Sequence, residues 1–242
     1  MTVDAFKSFS KKQLILLNWW TDSSPYKNRD AIICDGSVRS GKTVCMFLSF
    51  IFWAFYMFSD SSFAVCGKTI TSLRRNIITP MLPMLRSLGF TYEELVSKNM
   101  IIIKKDGREN RFYIFGGKDE GSAALIQGMT LSGVMLDETA LMPRSFCEQA
   151  IARCSVDNSR LWFNCNPENP AHWFYTEWIK KAADKNCLYL HFTMDDNPSL
   201  SEEIKQRYKN LYSGSFYERF IEGKWVSCDG AVYPFFDSSY IY

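Results

Sequence analysis

Residues 36–43 limit what this chain can fold into more than any other stretch. Gly36-Ser37-Val38-Arg39-Ser40-Gly41-Lys42-Thr43 matches G-x-x-x-x-G-K-[ST] at every specified position. A short apolar run, Ala31-Ile32-Ile33-Cys34, precedes it, as a buried parallel strand should. Residues 44–58 follow without a single charge, which suits a helix buried beneath a sheet. Strand, glycine loop and helix in that order make a phosphate cradle. Glycines let backbone N–H groups close around phosphate oxygens, and the helix N-terminus adds the positive end of its dipole. In such a loop the Lys42 ammonium reaches the β- and γ-phosphates of ATP, and the Thr43 hydroxyl holds Mg²⁺. The competing reading, a glycine turn ahead of an apolar helix, is disfavoured by spacing and context.

The rest of the chain alternates. Residues 4–20 read as an amphipathic helix containing Gln13, and 21–30 as a polar loop. Strands are expected at 31–35, 62–66, 100–104, 112–115, 133–136, 161–165 and 187–193. The third and fourth of these are joined by a charged turn, KDGREN. Helices are expected at 43–58, at 71–88 with a bend near Pro80 and Pro83, at 143–154, at 171–183, and at about 200–212 and 214–222. Alternation of this kind predicts an α/β fold with a mainly parallel sheet flanked by helices. Three segments follow: 1–30 with the N-terminal helix, a P-loop core at 31–200, and a C-terminal helical segment at 201–242.

The segment GVMLDETA (133–140) supplies a second half to the site. An apolar strand that ends in Asp137-Glu138 puts two carboxylates at the carboxyl edge of a sheet, where α/β proteins bind ligands. Asp137 is then a Mg²⁺ ligand, and Glu138 the base that deprotonates an attacking water. A glutamate beside the metal aspartate points to hydrolysis rather than transfer to a small acceptor, which needs mainly positioning. A third strand ends in Asn164-Cys165-Asn166-Pro167. Its carboxamide is placed to sense a γ-phosphate, or Asn-Pro is simply a turn. Composition narrows the partners. The chain has 242 residues, 47% of them hydrophobic, and a net charge of only +2, so no strong basic field marks it as a nucleic-acid binder. The eight cysteines form no C-x-x-C pair and read as reduced, mostly buried thiols. The two histidines, His172 and His191, sit near no cysteine cluster, which argues against zinc. The run at 44–58 is shorter than the about 20 residues that a membrane span needs, and no signal-peptide pattern opens the chain.

Four pieces together resemble the ATPase domain of the large terminase subunit of tailed bacteriophages: FSKKQLILLNWW with Gln13, GSVRSGKT, GVMLDETALMP and FNCNPENPAHWFY. SGSFYERFIEGKWV and DGAVYPFF, late in the chain, resemble the end of that domain. The PBSX-like prophage terminases are the most similar group. The resemblance covers about residues 5–236 and implies an additional-strand, RecA-like core. It implies a motor that hydrolyses ATP to drive double-stranded DNA through a portal into a procapsid. It also implies the portal protein and a small terminase subunit as partners, a ring of subunits on the portal, and work in the cytoplasm of a bacterial host. By match, Gln13 reads the adenine, Arg39 approaches the γ-phosphate from within the loop, and Asn164 belongs to a coupling motif.

Two departures stand out. Many relatives carry an arginine, serving as a finger into the next subunit, just before the glycine that precedes the acidic strand; here Gln127 precedes Gly128. Arg144, Arg153 and Arg160 are the alternatives, unranked by sequence. The chain also stops about where a nuclease domain would begin, with only Asp229 and Asp237 beyond Trp225, so no nuclease activity is expected from it. For DNA phosphates, Arg74 and Arg75 are the first candidates and Lys104, Lys105 and Arg108 the second; the alternative is a solvated charged face. The rival functions are a helicase-like ATPase, a P-loop kinase and a nucleotide-gated assembly module.

Overall fold

The computed structural model of the chain describes residues 8–227. Its first half runs α1 (Lys11–Asn18), β1 (Ala31–Gly36), α2 (Lys42–Met57), β2 (Ser61–Gly67), α3 (Ile70–Leu73), α4 (Thr79–Ser87), β3 (Thr91–Leu95), β4 (Met100–Lys105) and β5 (Arg108–Gly116). Then follow β6 (Gly133–Leu136), α5 (Arg144–Ala152), β7 (Arg160–Asn164), β8 (Cys187–Phe192), α6 (Glu202–Leu211) and α7 (Gly214–Phe220). The strands form one sheet in the order β3-β4-β5-β2-β6-β7-β1-β8. From β5 to β8 every pairing is parallel; β3 and β4 join antiparallel at one edge. β7 is inserted between the loop strand β1 and the acidic strand β6. That insertion is the additional strand of this class of P-loop fold.

Alternation along the strands feeds two cores. Ile32 and Cys34 of β1 and Trp162 of β7 face α1, α2 and α4; Ile33 and Phe163 face α5 and the segment around Trp178. The first core is aromatic. Trp162 lies 4.6 Å from Trp53 and 5.1 Å from Trp19 and Phe50 between ring centroids. α2 is buried nearly all round, and its one buried hydroxyl, Ser49, accepts N–H bonds from the indoles of Trp20 (3.2 Å) and Trp162 (3.3 Å). Buried polar groups need such partners, and here two indoles satisfy one serine.

Several elements differ from the sequence expectation, each for a local reason. α1 starts only at Lys11, because Ser10 caps it: the Ser10 hydroxyl accepts from Gln13 N, and Gln13 Oε1 accepts from Ser10 N. Residues 4–7 of the expected helix lie outside the described residues, as does DGAVYPFF. The turn in KDGREN is just Asp106-Gly107, both at positive φ, so the flanking residues extend β4 and β5. β3 is an addition to the expected strands; its TYEEL sequence lacks the alternation of a half-buried strand and sits at an exposed edge. The expected 71–88 helix is interrupted by a π turn at Arg74–Ile78, and Pro80 sits harmlessly in the first turn of α4. A second π turn, Tyr175–Ile179, occupies the middle of the expected 171–183 helix. No helix among the described residues is long and apolar enough to cross a membrane.

Candidate active site

Register brings the three motifs to one edge. Cys34 pairs with Asn164 and Leu136 with Phe163, so Asp137, Asn164 and the loop after β1 leave the sheet side by side. Both motif glycines are required sterically. A Cβ at Gly36 (φ 128°) would lie 1.9 Å from the Phe192 carbonyl oxygen of β8. At Gly41 (φ 83°) it would lie 2.5 Å from Gln13 Nε2, which places the buried Gln13 carboxamide against the loop. The loop wraps a cavity of about 310 Å³ lined also by Asp137, Glu138, Asn164 and Asn166.

The Lys42 ammonium is turned onto neutral acceptors: Ser37 O at 2.7 Å, Ser40 Oγ at 3.1 Å, Gly36 O at 3.2 Å and Asn166 Oδ1 at 3.3 Å. Burial pulls its pKa down to about 8. Across the cavity, burial pushes Asp137 up to about 7, with Glu138 adding to the rise and the Asn164 hydrogen bond and Lys42 opposing it. Each charge is thus held at a cost that a counter-charge would remove. Asn164 Nδ2 donates to Thr43 Oγ1 at 2.9 Å and to Asp137 Oδ1, so the hydroxyl and the carboxylate converge on one point. Two hard oxygens meeting at such a point suit Mg²⁺. Asn164 Oδ1 and Ser37 Oγ are buried without a protein partner, as groups awaiting a ligand would be.

Glu138 sits in left-handed backbone, φ 54°, which costs about 1 kcal/mol or more for such a residue. Thr139 holds the distortion: its fully buried hydroxyl is within hydrogen-bond reach of Leu136 O (3.1 Å) and Asn164 O (3.2 Å), tying β6 to β7. Arg39, also at positive φ (59°), is exposed; its Nε donates to Tyr208 Oη of α6 at 3.2 Å, and its carbonyl accepts from Asn197 Nδ2 at 2.7 Å. Asn166, Thr139 and Asn197 escaped the sequence reading. Asn166 carried a signal, two residues past Asn164, whereas Asn197 approaches from a distant turn.

The remaining arginines divide by what they already hold. Arg160 starts β7, at the end of the strand away from the cavity, and donates to Trp20 O and Lys27 O beneath the Trp19 ring. Arg144 lies 3.7 Å from Glu148 and over Trp173; Gln127 is exposed. Arg74 is paired with Glu94 at 3.1 Å, while Arg75 is exposed. Lys104 pairs with Glu109, Lys105 donates to Leu88 O, and Arg108 caps α2 through Phe55 O and Tyr56 O.

The sequence profile described as terminase large subunit, T4likevirus-type, N-terminal, matches residues 33–239. Among solved structures, the large terminase from a thermophilic bacteriophage superposes with a TM-score of 0.90 at 52% identity, covering 96% of this chain and 57% of that one. The same terminase in complex with ATP-γ-S gives 0.88 at 50% identity with the same coverage, and its ADP complex gives 0.90 at 52%. The Thermus phage P74-26 large terminase ATPase domain shares the fold, with a TM-score of 0.61 at 15% identity over 82% of this chain and 90% of that one. No curated protein matches. The chain spans 57% of the length of the thermophilic phage terminase. With a profile across most of its length and a solved relative half identical to it, the chain belongs to the terminase large subunit family, T4likevirus type, and corresponds to the N-terminal part.

Proposed function

We propose that this chain is the ATPase motor domain of a phage terminase, binding ATP with Mg²⁺ and hydrolysing it to drive double-stranded DNA into a procapsid. The observation that carries the reading is the convergence of Lys42, Thr43, Asp137, Glu138 and Asn164 on one cavity at the carboxyl edge of the sheet. Lys42 would exchange its neutral carbonyl partners for phosphate oxygens, recovering the charge that burial disfavours. Thr43 and Asp137 would hold Mg²⁺, which offsets phosphate charge when bound. Glu138, fixed on the rim by its strained turn, accepts the proton of the attacking water. Asn164 touches both Thr43 and Asp137, so its carboxamide can exchange partners when the phosphate leaves and pass that change into β7. Gln13, packed on Gly41, reads the base, and Arg39 moves from Tyr208 toward the γ-phosphate.

The bound ADP and ATP-γ-S of the thermophilic phage relative support nucleotide binding here. The reading carries with it the partners that the resemblance implies: a portal protein, a small terminase subunit, and further copies in a ring at the procapsid portal in the host cytoplasm. Arg75 is the better placed of the two arginines for DNA phosphates, since Arg74 would first have to leave Glu94. Steady-state ATP turnover by the purified chain, with and without long double-stranded DNA, tests the motor reading. Stimulation by DNA, lost in Glu138→Gln while ATP binding survives, is the expected result. Equal turnover in both proteins would overturn the assignment of the base, and phosphate transfer to a small acceptor would favour a kinase.

A further inference from the structure

Asp35 is the last side chain of β1 before the phosphate loop, and it is 0% exposed. Three donors from distant parts of the chain meet its carboxylate. Tyr189 Oη and His191 Nδ1 of β8 lie 2.9 Å from Oδ1, and Trp225 Nε1 lies 2.7 Å from Oδ2. The mechanism above uses none of these four groups. Trp225 follows α7, and its ring stacks on Tyr175 with centroids 4.8 Å apart.

The same segment touches the loop backbone directly. Val38 N donates to Phe220 O at 3.1 Å, and His191 Nε2 lies 3.2 Å from Glu222 O. Gly223, at φ 71°, packs so closely that a Cβ there would lie 2.7 Å from Gly36 Cα and Ser37 N. One helical turn earlier, Arg219 donates to Pro167 O through Nε (3.2 Å) and Nη2 (3.1 Å) and pairs with Glu168. Residues 219–225 therefore hold the phosphate loop on one side and, through Pro167 and Glu168, the segment that follows Asn164 and carries Asn166 on the other. Val38 N–H is one of the loop amides, and its acceptor is a carbonyl of this segment rather than of the loop itself.

We propose that residues 219–225 form a clasp on the phosphate loop, with Trp225 and Asp35 as positioning residues, so that nucleotide binding and docking of the clasp are thermodynamically linked. The inference rests on the ATPase reading and deepens it. Nucleotide in the loop favours one loop geometry, the clasp contacts that geometry through Val38, Gly36 and Asp35, and linkage makes the effect reciprocal. Whatever follows Trp225 in the chain is thereby informed of the state of the site.

Trp225→Phe in the full chain deletes the indole N–H and keeps a ring against Tyr175. ADP affinity is measured by calorimetry, beside amide hydrogen exchange of peptide 220–227 with and without saturating ADP. Tyr56→Phe, which removes an exposed hydroxyl bond to Asp22, is the control. In the unmodified chain, ADP slows exchange of 220–227. In Trp225→Phe the slowing is lost and ADP binds about fivefold or more weakly; the control changes neither. Exchange that ignores ADP in a chain that binds it overturns the clasp and leaves the ATPase reading standing. An unchanged ADP affinity in a folded Trp225→Phe does the same. Should that variant not fold, the exchange measurement on the unmodified chain decides alone. An unmodified chain that binds no ADP overturns both readings.

Discussion

β7 has two ends that are built differently. At its start, Arg160 has both ends of its guanidinium occupied by carbonyls and its face covered by Trp19. At its finish, Asn164 has a buried oxygen with no protein partner, beside an aspartate pushed up to about 7 and a glutamate in left-handed backbone. The two residues are separated by one short strand, whose Trp162 faces one core and Phe163 the other. Arg160 is tied into the fold through two carbonyls, whereas Asn164 keeps an unpartnered oxygen beside the cavity, as the proposed nucleotide site requires. The contrast separates stability from chemistry along one element, and it can be broken.

The largest expected effect is at the carboxyl end. Glu138→Gln should lower turnover by about 100- to 10,000-fold while leaving ATP binding intact, since only the proton acceptor is removed; a fluorescent ATP analogue and phosphate release read the two separately. In the core between the two ends, Trp162→Ala should cost about 3–5 kcal/mol in urea unfolding, through lost burial and the cavity it leaves. The sharpest pair is smaller. Arg160→Ala should cost about 1.5–3 kcal/mol of stability from its lost charged hydrogen bonds and change turnover by less than about twofold. Asn164→Ala should act first on turnover, down at least about tenfold, while losing the donor to buried Asp137 costs about 1–3 kcal/mol, partly offset because an unpaired oxygen leaves with the amide. If Arg160→Ala abolished turnover without destabilising the fold, the division between the two ends would fail.

The smallest effect depends on pH. Hydrogen bonding to Asp35 holds the His191 imidazole above its ordinary value of 6.5, against burial, which lowers it. A raised native value means that the protonated ring favours the folded state. That contribution is full below the ordinary value and fades as pH rises through the native one. The melting temperatures of the unmodified chain and His191→Gln should therefore converge as pH is raised from about 5.5 to about 9. A gap that widened with pH would mean that the ring is held neutral.

What was legible in the sequence was local. Gly36, Gly41, Lys42 and Thr43 announce the loop because a phosphate cradle needs contiguous backbone, and Asp137-Glu138 announce the acidic strand because an apolar run precedes them. The parallel sheet followed from alternation. What escaped depends on partners far along the chain. The three donors that Asp35 collects leave no trace around residue 35, and Asn197 reaches the loop from a turn with no motif of its own. β3 escaped because an exposed edge strand needs no alternation, and the two π turns because one extra residue per turn leaves an apolar pattern readable as an ordinary helix.

The place of β7 in the sheet has a dimensional consequence. Neighbouring strands lie about 4.8 Å apart, so one strand between β1 and β6 sets the loop strand and the acidic strand about 10 Å apart. That width lies beneath the cavity that Lys42, Thr43, Asp137 and Glu138 line. β7 works as a shim of one strand's width, and it mounts Asn164 on its tip beside the cavity, where the proposed coupling role would need it.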